Sequence, residues 1–288
     1  MRINTNVASL TALESNTQIN KNMTNSLEKL SSGLRINKAS DDASGLAIAD
    51  KLRTQASSIN QAISNGNSAV SLIQIADKAM AEQSNILDII KQKLIQGATA
   101  TTSPEGRTAI GKDISKLLTQ LNEIANQTNY NGIGLLQGAT AGDTTSTLTF
   151  QMGEKSANIA ELTAAVQSNT TGLNGMSALN TAATAASAAS TTWSAIAVRS
   201  HMIQVDSAIN ELNTWRADFG STQNQIESGI RNMMTQVTNI KAAESVIRDV
   251  DYAAESANFN KQNIIAQAGT YAISQANQVQ QNILRLLQ

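Results

Sequence analysis

The chain has 288 residues, a formal charge of −1, 41% hydrophobic and only 3% aromatic residues, one proline and no cysteine. Its near-neutral balance, with Lys/Arg and Asp/Glu interspersed, excludes a strong basic field for nucleic acid or anionic lipid. No apolar run approaches the roughly eighteen residues that span a bilayer, and the opening MRINTNVASL lacks the apolar stretch of a cleavable secretory signal.

Residues 5–34 are expected to form a first helix, with Asn6 or Ser9 as N-cap and Gly33 as its breaker. Within it Met23, Leu27, Leu30 and Leu34 step by four, three and four, the spacing of a seam against a partner helix. Residues 31–53 are rich in Ser, Asn, Asp and Gly and predict a structured excursion between helices. Helix resumes near Ser44 and runs to Gly97, with Ile63, Val70, Leu72, Ile75, Leu87, Ile90 and Leu94 as candidates for burial. About fifty helical residues would extend roughly 75 Å, which predicts a rod.

A turn around the lone Pro104 separates this helix from the next. There Ile110, Ile114, Leu117, Leu121 and Ile124 keep the same steps, and a short connection implies an antiparallel neighbour. Asn131-Gly132 ends that helix. Between residues 132 and 165 the texture changes: 147–151 alternates, 152–155 is turn-like and 158–162 can return, which predicts a small β-hairpin. Residues 177–192 are Ala/Ser/Thr-rich, and composition leaves open a linker, a helix or a surface for sugars. A third long helix is expected from Ser194 to Asn239, carrying Val205, Ile209, Leu212, Ile226, Ile230, Met233, Val237 and Ile240. Residues 241–260 are expected to connect it to a terminal helix.

That terminal helix repeats the seam: Ala272, Ala276, Val279, Ile283 and Leu286 fall at steps of four, three, four and three. Both ends of the chain therefore present amphipathic helices in need of partners, whereas most domain termini are polar and loosely held. The predicted fold is mainly α: a long antiparallel helical rod or coiled coil with a small β-hairpin region, its N- and C-terminal helices side by side. It belongs to an assembly subunit more readily than to an enzyme. Unpaired outside an assembly, such ends are expected to be disordered and to order on joining it. The absence of cysteine suits export as an unfolded chain, in which no thiol can crosslink in transit.

MRINTN at the start, LSSGLRINKASDDASGLAIADKLR at residues 30–53, NQTNYNGIGLL at 126–136 and ANQVQQNILRLLQ at the end resemble bacterial flagellin. The resemblance covers roughly residues 1–140 and 195–288. It implies a subunit of the flagellar filament, exported by the flagellar type III apparatus with a flagellin chaperone and polymerised beside filament-cap and hook-junction proteins. It implies an axial core domain of residues 1–45 and 250–288, and a rod-like domain of residues 46–249 without large outer domains. Many flagellins carry an Arg and a Leu in the helix before the turn and a Glu in the next helix, recognised by vertebrate Toll-like receptor 5. Here Ile89, Lys93 and Asp113 stand at those positions, a departure similar to that of epsilonproteobacterial flagellins. The loss of a guanidinium fork and the gain of a charge at an apolar contact imply weak or absent recognition.

No enzymatic constellation competes with this reading. His201 is the single histidine, which excludes a multi-histidine metal site and leaves no Ser/His/Asp grouping to propose. Asp41-Asp42 and Asp249/Asp251 read as helix caps and partners of Arg35, Lys38, Lys51 or Arg53. Gly132-Ile133-Gly134 lacks the third glycine of a dinucleotide loop, and the eight methionines read as core filler. No catalytic residue, cofactor or metal is expected. Asn169-Thr170-Thr171 matches a glycosylation sequon. Ser177, Thr181, Thr184, Ser187, Ser190, Thr191 and Thr192 are better candidates for O-linked sugars. The alternative within the same apparatus is a hook–filament junction protein; an exported enzyme or adhesin would need an insertion for which the middle has no room.

Overall fold

The computed structural model describes residues 6–137, 147–163, 166–187 and 193–286. Among them are six helices: α1 (Val7–Ser32), α2 (Ala43–Ala98), α3 (Pro104–Gln127), α4 (Met176–Ser187), α5 (Ala195–Arg248) and α6 (Tyr252–Leu286). Four short strands lie between α3 and α4: β1 (Asn129–Tyr130), β2 (Ile133–Gly134), β3 (Thr147–Gln151) and β4 (Ile159–Thr163). The chain divides into two compact units, one of residues Met1–Ser57 with Gln236–Gln288 and one of residues Ser58–Thr235, so both cuts fall inside the long helices α2 and α5.

In the second unit the core is a helical seam with a regular sequence basis. Ile59, Gly66, Ile73, Met80, Leu87 and Leu94 recur every seven residues, and Ala62, Ala69, Ala76, Gln83, Ile90 and Gly97 form a second such frame; all are buried. These frames keep one face of α2 turned inward. The seam therefore passes through small residues, while Ile63 and Val70 are half-buried and Ile75 is exposed. Large apolar side chains misplace the stripe because close helix approach favours Ala and Gly. On α5 the matching frame is Val198, Val205, Leu212, Phe219, Ile226 and Met233. Arg216 Nε lies 2.9 Å from Asp77 Oδ1, and Lys91 pairs with Asp206, fixing the register of the two helices.

α3 runs back along α2 as expected. Ser103 caps it by accepting from Gly106 N, and Pro104 occupies its first turn, where no amide donor is needed. Its buried positions are Ile110, Gly111, Ile114, Leu118, Leu121 and Ala125, so Leu117 and Ile124 lie at the margin of the stripe. The fully buried Gln83 donates from Nε2 to the carbonyls of Leu121 (3.2 Å) and Ser168 (3.0 Å), tying α2 to α3 and to the segment after β4.

Two expectations need correction. Asn131-Gly132 does not end α3; with φ of 51° and 82° these residues form the tight turn joining β1 to β2. The expected hairpin is present further on, as β3 paired antiparallel with β4 from Thr147↔Thr163 to Gln151↔Ile159. Residues 241–260 are not a connector: α5 continues to Arg248, α6 starts at Tyr252, and only residues 249–251 intervene. Lys241–Arg248 consists mostly of good helix formers, and its charges decorate a helical face.

The Ala/Ser/Thr-rich tract forms α4 through Ser187, its Met176, Leu179, Ala183 and Ala186 turned inward toward α3. Trp193 closes over it, donating from Nε1 to the Ala182 carbonyl (2.9 Å). A Cβ on Gly111 would stand 2.9 Å from the Ala186 Cβ and 3.5 Å from the Trp193 ring. Gly111→Val in a Trp215→Phe background is expected to destabilise this unit by about 1–3 kcal/mol and to shift Trp193 fluorescence to the red. An unchanged melting curve and emission maximum would show that α3 and α4 do not meet there.

Candidate assembly surface

The first unit is built on α1 and α6, which run antiparallel. Asn6 Nδ2 donates to the Ala276 carbonyl (3.2 Å), Asn16 lies beside Gly269, and Asn258 Nδ2 donates to Ser26 Oγ (3.4 Å). The less exposed face of α1 is Ser9, Ala12, Asn16, Ile19, Met23, Ser26 and Leu30; that of α6 is Phe259, Gln262, Ala266, Gly269, Ile273 and Ala276. Both sets step alternately by three and four. Small and polar residues dominate this inner face, and the best-buried side chains there are Ser26 (3% exposed) and Ala266 (9%).

A second set of large apolar residues points the other way. Val7, Leu10, Leu13 and Leu27 on α1, and Ile264, Tyr271 and Val279 on α6, are each more than half exposed. An exposed apolar surface of this kind marks an interaction site. The predicted contact residues therefore fall into two groups. Met23, Leu30 and Ala276 are half-buried at the α1–α6 seam, Leu34 is half-buried in the connector, and Leu27, Ala272 and Val279 are exposed. Ile283 and Leu286 belong to α6, but their side chains lie outside what the structure describes. Sequence spacing alone missed Leu10, Leu13, Ile264 and Tyr271; an apolar residue opposite a small-residue seam is the signal that finds them.

A clasp of backbone and side chains fixes where the helices turn. Leu34 bridges Asp249, Arg35 N donates to the Arg248 carbonyl (2.6 Å), and Val250 N donates to the Gly33 carbonyl (3.0 Å). Arg35 Nη2 and Nε donate to the Ile247 carbonyl, satisfying an orphan acceptor at the end of α5. Gly33 adopts φ 74° and ends α1, and the Tyr252 hydroxyl lies 3.0 Å from where a Cβ would stand.

Asp42 and Asp251 cap helices, while Asp41 and Asp249 lie in the connectors and accept local bonds. Asp42 accepts from Gly45 N, Asp251 from Ala253 N and Ala254 N, and Asp41 from Asn37 N and Lys38 N. Asp249 accepts from Ser245 Oγ. The expected pairing of these four with cations is replaced among the described ion pairs by Lys38–Glu28, Arg53–Asp50 and Arg248–Asp50.

In the second unit the three departed receptor positions come together. Lys93 Nζ lies 3.0 Å from Asp113 Oδ2 across α2 and α3, one turn from the exposed Ile89. His201 is half-buried, its Nδ1 bonded to Gln204 Oε1 and its ring 5.9 Å from that of Trp193. No cluster of three metal-ligating side chains exists among the described residues. Ser177, Thr181 and Thr184 lie on the outward face of α4; the threonine hydroxyls bond back to the Ser177 and Asn180 carbonyls. The Ser187 side chain and residues Ser190, Thr191 and Thr192 lie outside the described residues. The sequon is folded in: Asn169 Oδ1 accepts from Thr171 N and Gly172 N, and Thr170 is buried.

Comparison with known proteins matches residues 3–141 to the bacterial flagellin N-terminal helical region and residues 202–287 to the bacterial flagellin C-terminal helical region. The chain is 37% identical to flagellin of Bacillus subtilis (strain 168) over 305 residues, covering 100% of both chains. It is 34% identical to the flagellar filament 33 kDa core protein of Treponema phagedenis over 292 residues, again covering 100% of both. Among solved structures, a flagellar hook-associated protein from Vibrio parahaemolyticus shares the fold (TM-score 0.61, 12% identity), covering 72% of this chain and 99% of that one.

Hydrogen bonds from Lys38 N and then Asn37 N hold the Asp41 carboxyl below the ordinary carboxylate range. Its contribution to the clasp is thus present at neutral pH and lost only as pH falls through that lowered value. The side-chain bond to Glu28 raises Lys38, whose contribution is lost only as pH rises past its elevated value. The amide proton resonances of Asn37 and Lys38 should move in acid only below the ordinary carboxylate range, and Asp41→Asn should remove that movement. Titration centred above that range would contradict the assignment.

Proposed function

We propose, for a chain that belongs to the bacterial flagellin family and is a structural subunit of the flagellar filament, that the outward apolar faces of α1 and α6 are the surfaces copies bury in one another. The observation that carries this is a second apolar face on the helix pair: Ile19, Met23, Leu30, Phe259 and Ile273 share the seam with small and polar residues, while Val7, Leu10, Leu13, Leu27, Ile264, Tyr271 and Val279 lie outside. Burying each large side chain is worth about 1.5–3 kcal/mol. No single copy gains it, so polymerisation is favoured at a preformed end. The weak inner seam also lets the pair open at little cost, which suits passage through a narrow channel. In place of unpaired ends, a loosely held pair supplies the soluble state.

The filament lies outside the cell in this family. For this chain we assign export through the flagellar type III apparatus with a flagellin chaperone, assembly beneath a cap onto hook-junction proteins, and a role in swimming. Support comes from the family match, together with the absence of cysteine from the sequence. The family is structural, which favours a subunit over an enzyme. Full-length identity to filament proteins favours the bulk filament over the hook–filament junction. The likeness to a hook-associated protein, at 12% identity, concerns the fold alone.

Leu27→Asp or Ile283→Asp is expected to abolish filament growth on seeds, with circular dichroism showing the helices of the second unit retained. Normal filaments by electron microscopy from both variants would defeat the reading.

At the receptor positions, Lys93 is engaged by Asp113 and Ile89 offers no donor, which supports weak or absent activation of Toll-like receptor 5. Purified monomer should give little response in a cell reporter assay. Ile89→Arg with Lys93→Leu should raise it roughly tenfold or more, the effect of restoring a contact worth above about 1 kcal/mol. A full response from the unaltered chain would overturn this.

A further inference from the structure

The β3–β4 hairpin is fastened to the long helices of the second unit by one unusual contact. Met152 follows β3, and its terminal methyl lies against Gly66 on α2 and Gly229 on α5, 3.2 Å and 3.5 Å from where their Cβ atoms would stand. Ile230 Cδ1 closes the same notch, 3.0 Å from the Gly66 position. The absence of two side chains, one from each helix, makes room for this thioether. Asn65 Nδ2 adds a bond to the Gln151 carbonyl (3.3 Å) beside it.

The turn that delivers Met152 is internally wired. Met152 N donates to the Asn158 carbonyl (2.8 Å), Asn158 N donates to that of Lys155 (2.9 Å), and Gln151 Nε2 donates to those of Gly153 and Lys155. The turn therefore moves as one piece, and Lys155 at its tip is exposed. Met152 is half-buried, in contrast to the fully buried Met80 and Met176, which fill the core. It combines partial access with a position that holds a separate element in place.

From this we infer that Met152 is an oxidation site that latches and releases the hairpin. A sulfur lone pair attacks one oxygen of hydrogen peroxide; an S–O bond forms, the O–O bond breaks, and the departing oxygen takes protons to leave as water. The thioether is oxidised by two electrons and the peroxide is reduced. The sulfoxide is polar and stereogenic, and the notch around the methyl offers glycine backbone and an isoleucine in place of a solvating partner. The side chain leaves and carries the wired turn with it. A thiol-dependent sulfoxide reductase reverses the change: the oxygen departs as water while two reductase thiols become a disulfide, the chain itself having no cysteine.

Trypsin cleavage after Lys155 reads the latch directly. The full-length chain is treated with dilute hydrogen peroxide, and sulfoxide at each methionine is followed by peptide mass spectrometry. Met234, 56% exposed, serves as the internal reference. Cleavage after Lys155 should quicken roughly tenfold as Met152 is converted, as local opening without global unfolding requires. Sulfoxide reductase should restore slow cleavage. Met152→Leu should cut slowly before and after peroxide, and Met152→Gln quickly without any. The proposal fails if Met152 stays reduced when Met234 is fully converted. It fails equally if Met152 is oxidised with Lys155 cleavage unchanged, or if Met152→Leu still responds to peroxide.

Discussion

The structure turns on a helix pair assembled inside out. Where α1 meets α6, Ser, Ala, Asn, Gly and Gln alternate with Ile19, Met23, Leu30, Phe259 and Ile273, and a further apolar set of Val7, Leu10, Leu13, Leu27, Ile264, Tyr271 and Val279 looks to solvent. In a self-sufficient domain the hydrophobic effect would turn that arrangement over. On the assembly proposed above, the inner face needs only enough complementarity to align the ends, and the outer face is the one offered to other copies.

The two units divide this labour by residue size. The second has a conventional core: leucine and isoleucine frames, glycines where elements approach, and Gln83 satisfying two buried carbonyls. The first contributes few buried apolar side chains and relies on the Gly33–Arg35 clasp and aspartate caps to set its geometry. On the assembly proposed above, this separation lets the unit with the larger buried core bear the folding and the other the association.

Much of this was legible in the residues. Seven-residue periodicity announced the long helices, Ser103-Pro104 the turn before α3, and alternation in residues 147–151 the hairpin. The termini announced an assembly subunit and, with residues 30–53, the family. Other features were hidden for physical reasons. The α2 seam runs through Ala62, Gly66, Ala69 and Ala76, residues a hydrophobicity reading passes over, so Ile63 and Val70, which lie at its margin, and Ile75, which is exposed, were counted within the stripe. Charged residues from Lys241 to Arg248 imitated a connector because a solvated helical face and a loop share a composition. At the termini, spacing identified seams but not which seam faces the chain's own partner. Two stripes on one helix have the same period, and only the tertiary pairing separates Met23 from Leu27.

Hydroxyl-radical footprinting of Val7, Leu10, Leu27, Ile264, Tyr271 and Val279 in soluble monomer and in polymerised filament most directly tests the inverted pair. The account requires strong labelling of all six in the monomer and protection of all six in the filament. Equal labelling in both states, or protection already complete in the monomer, would contradict it.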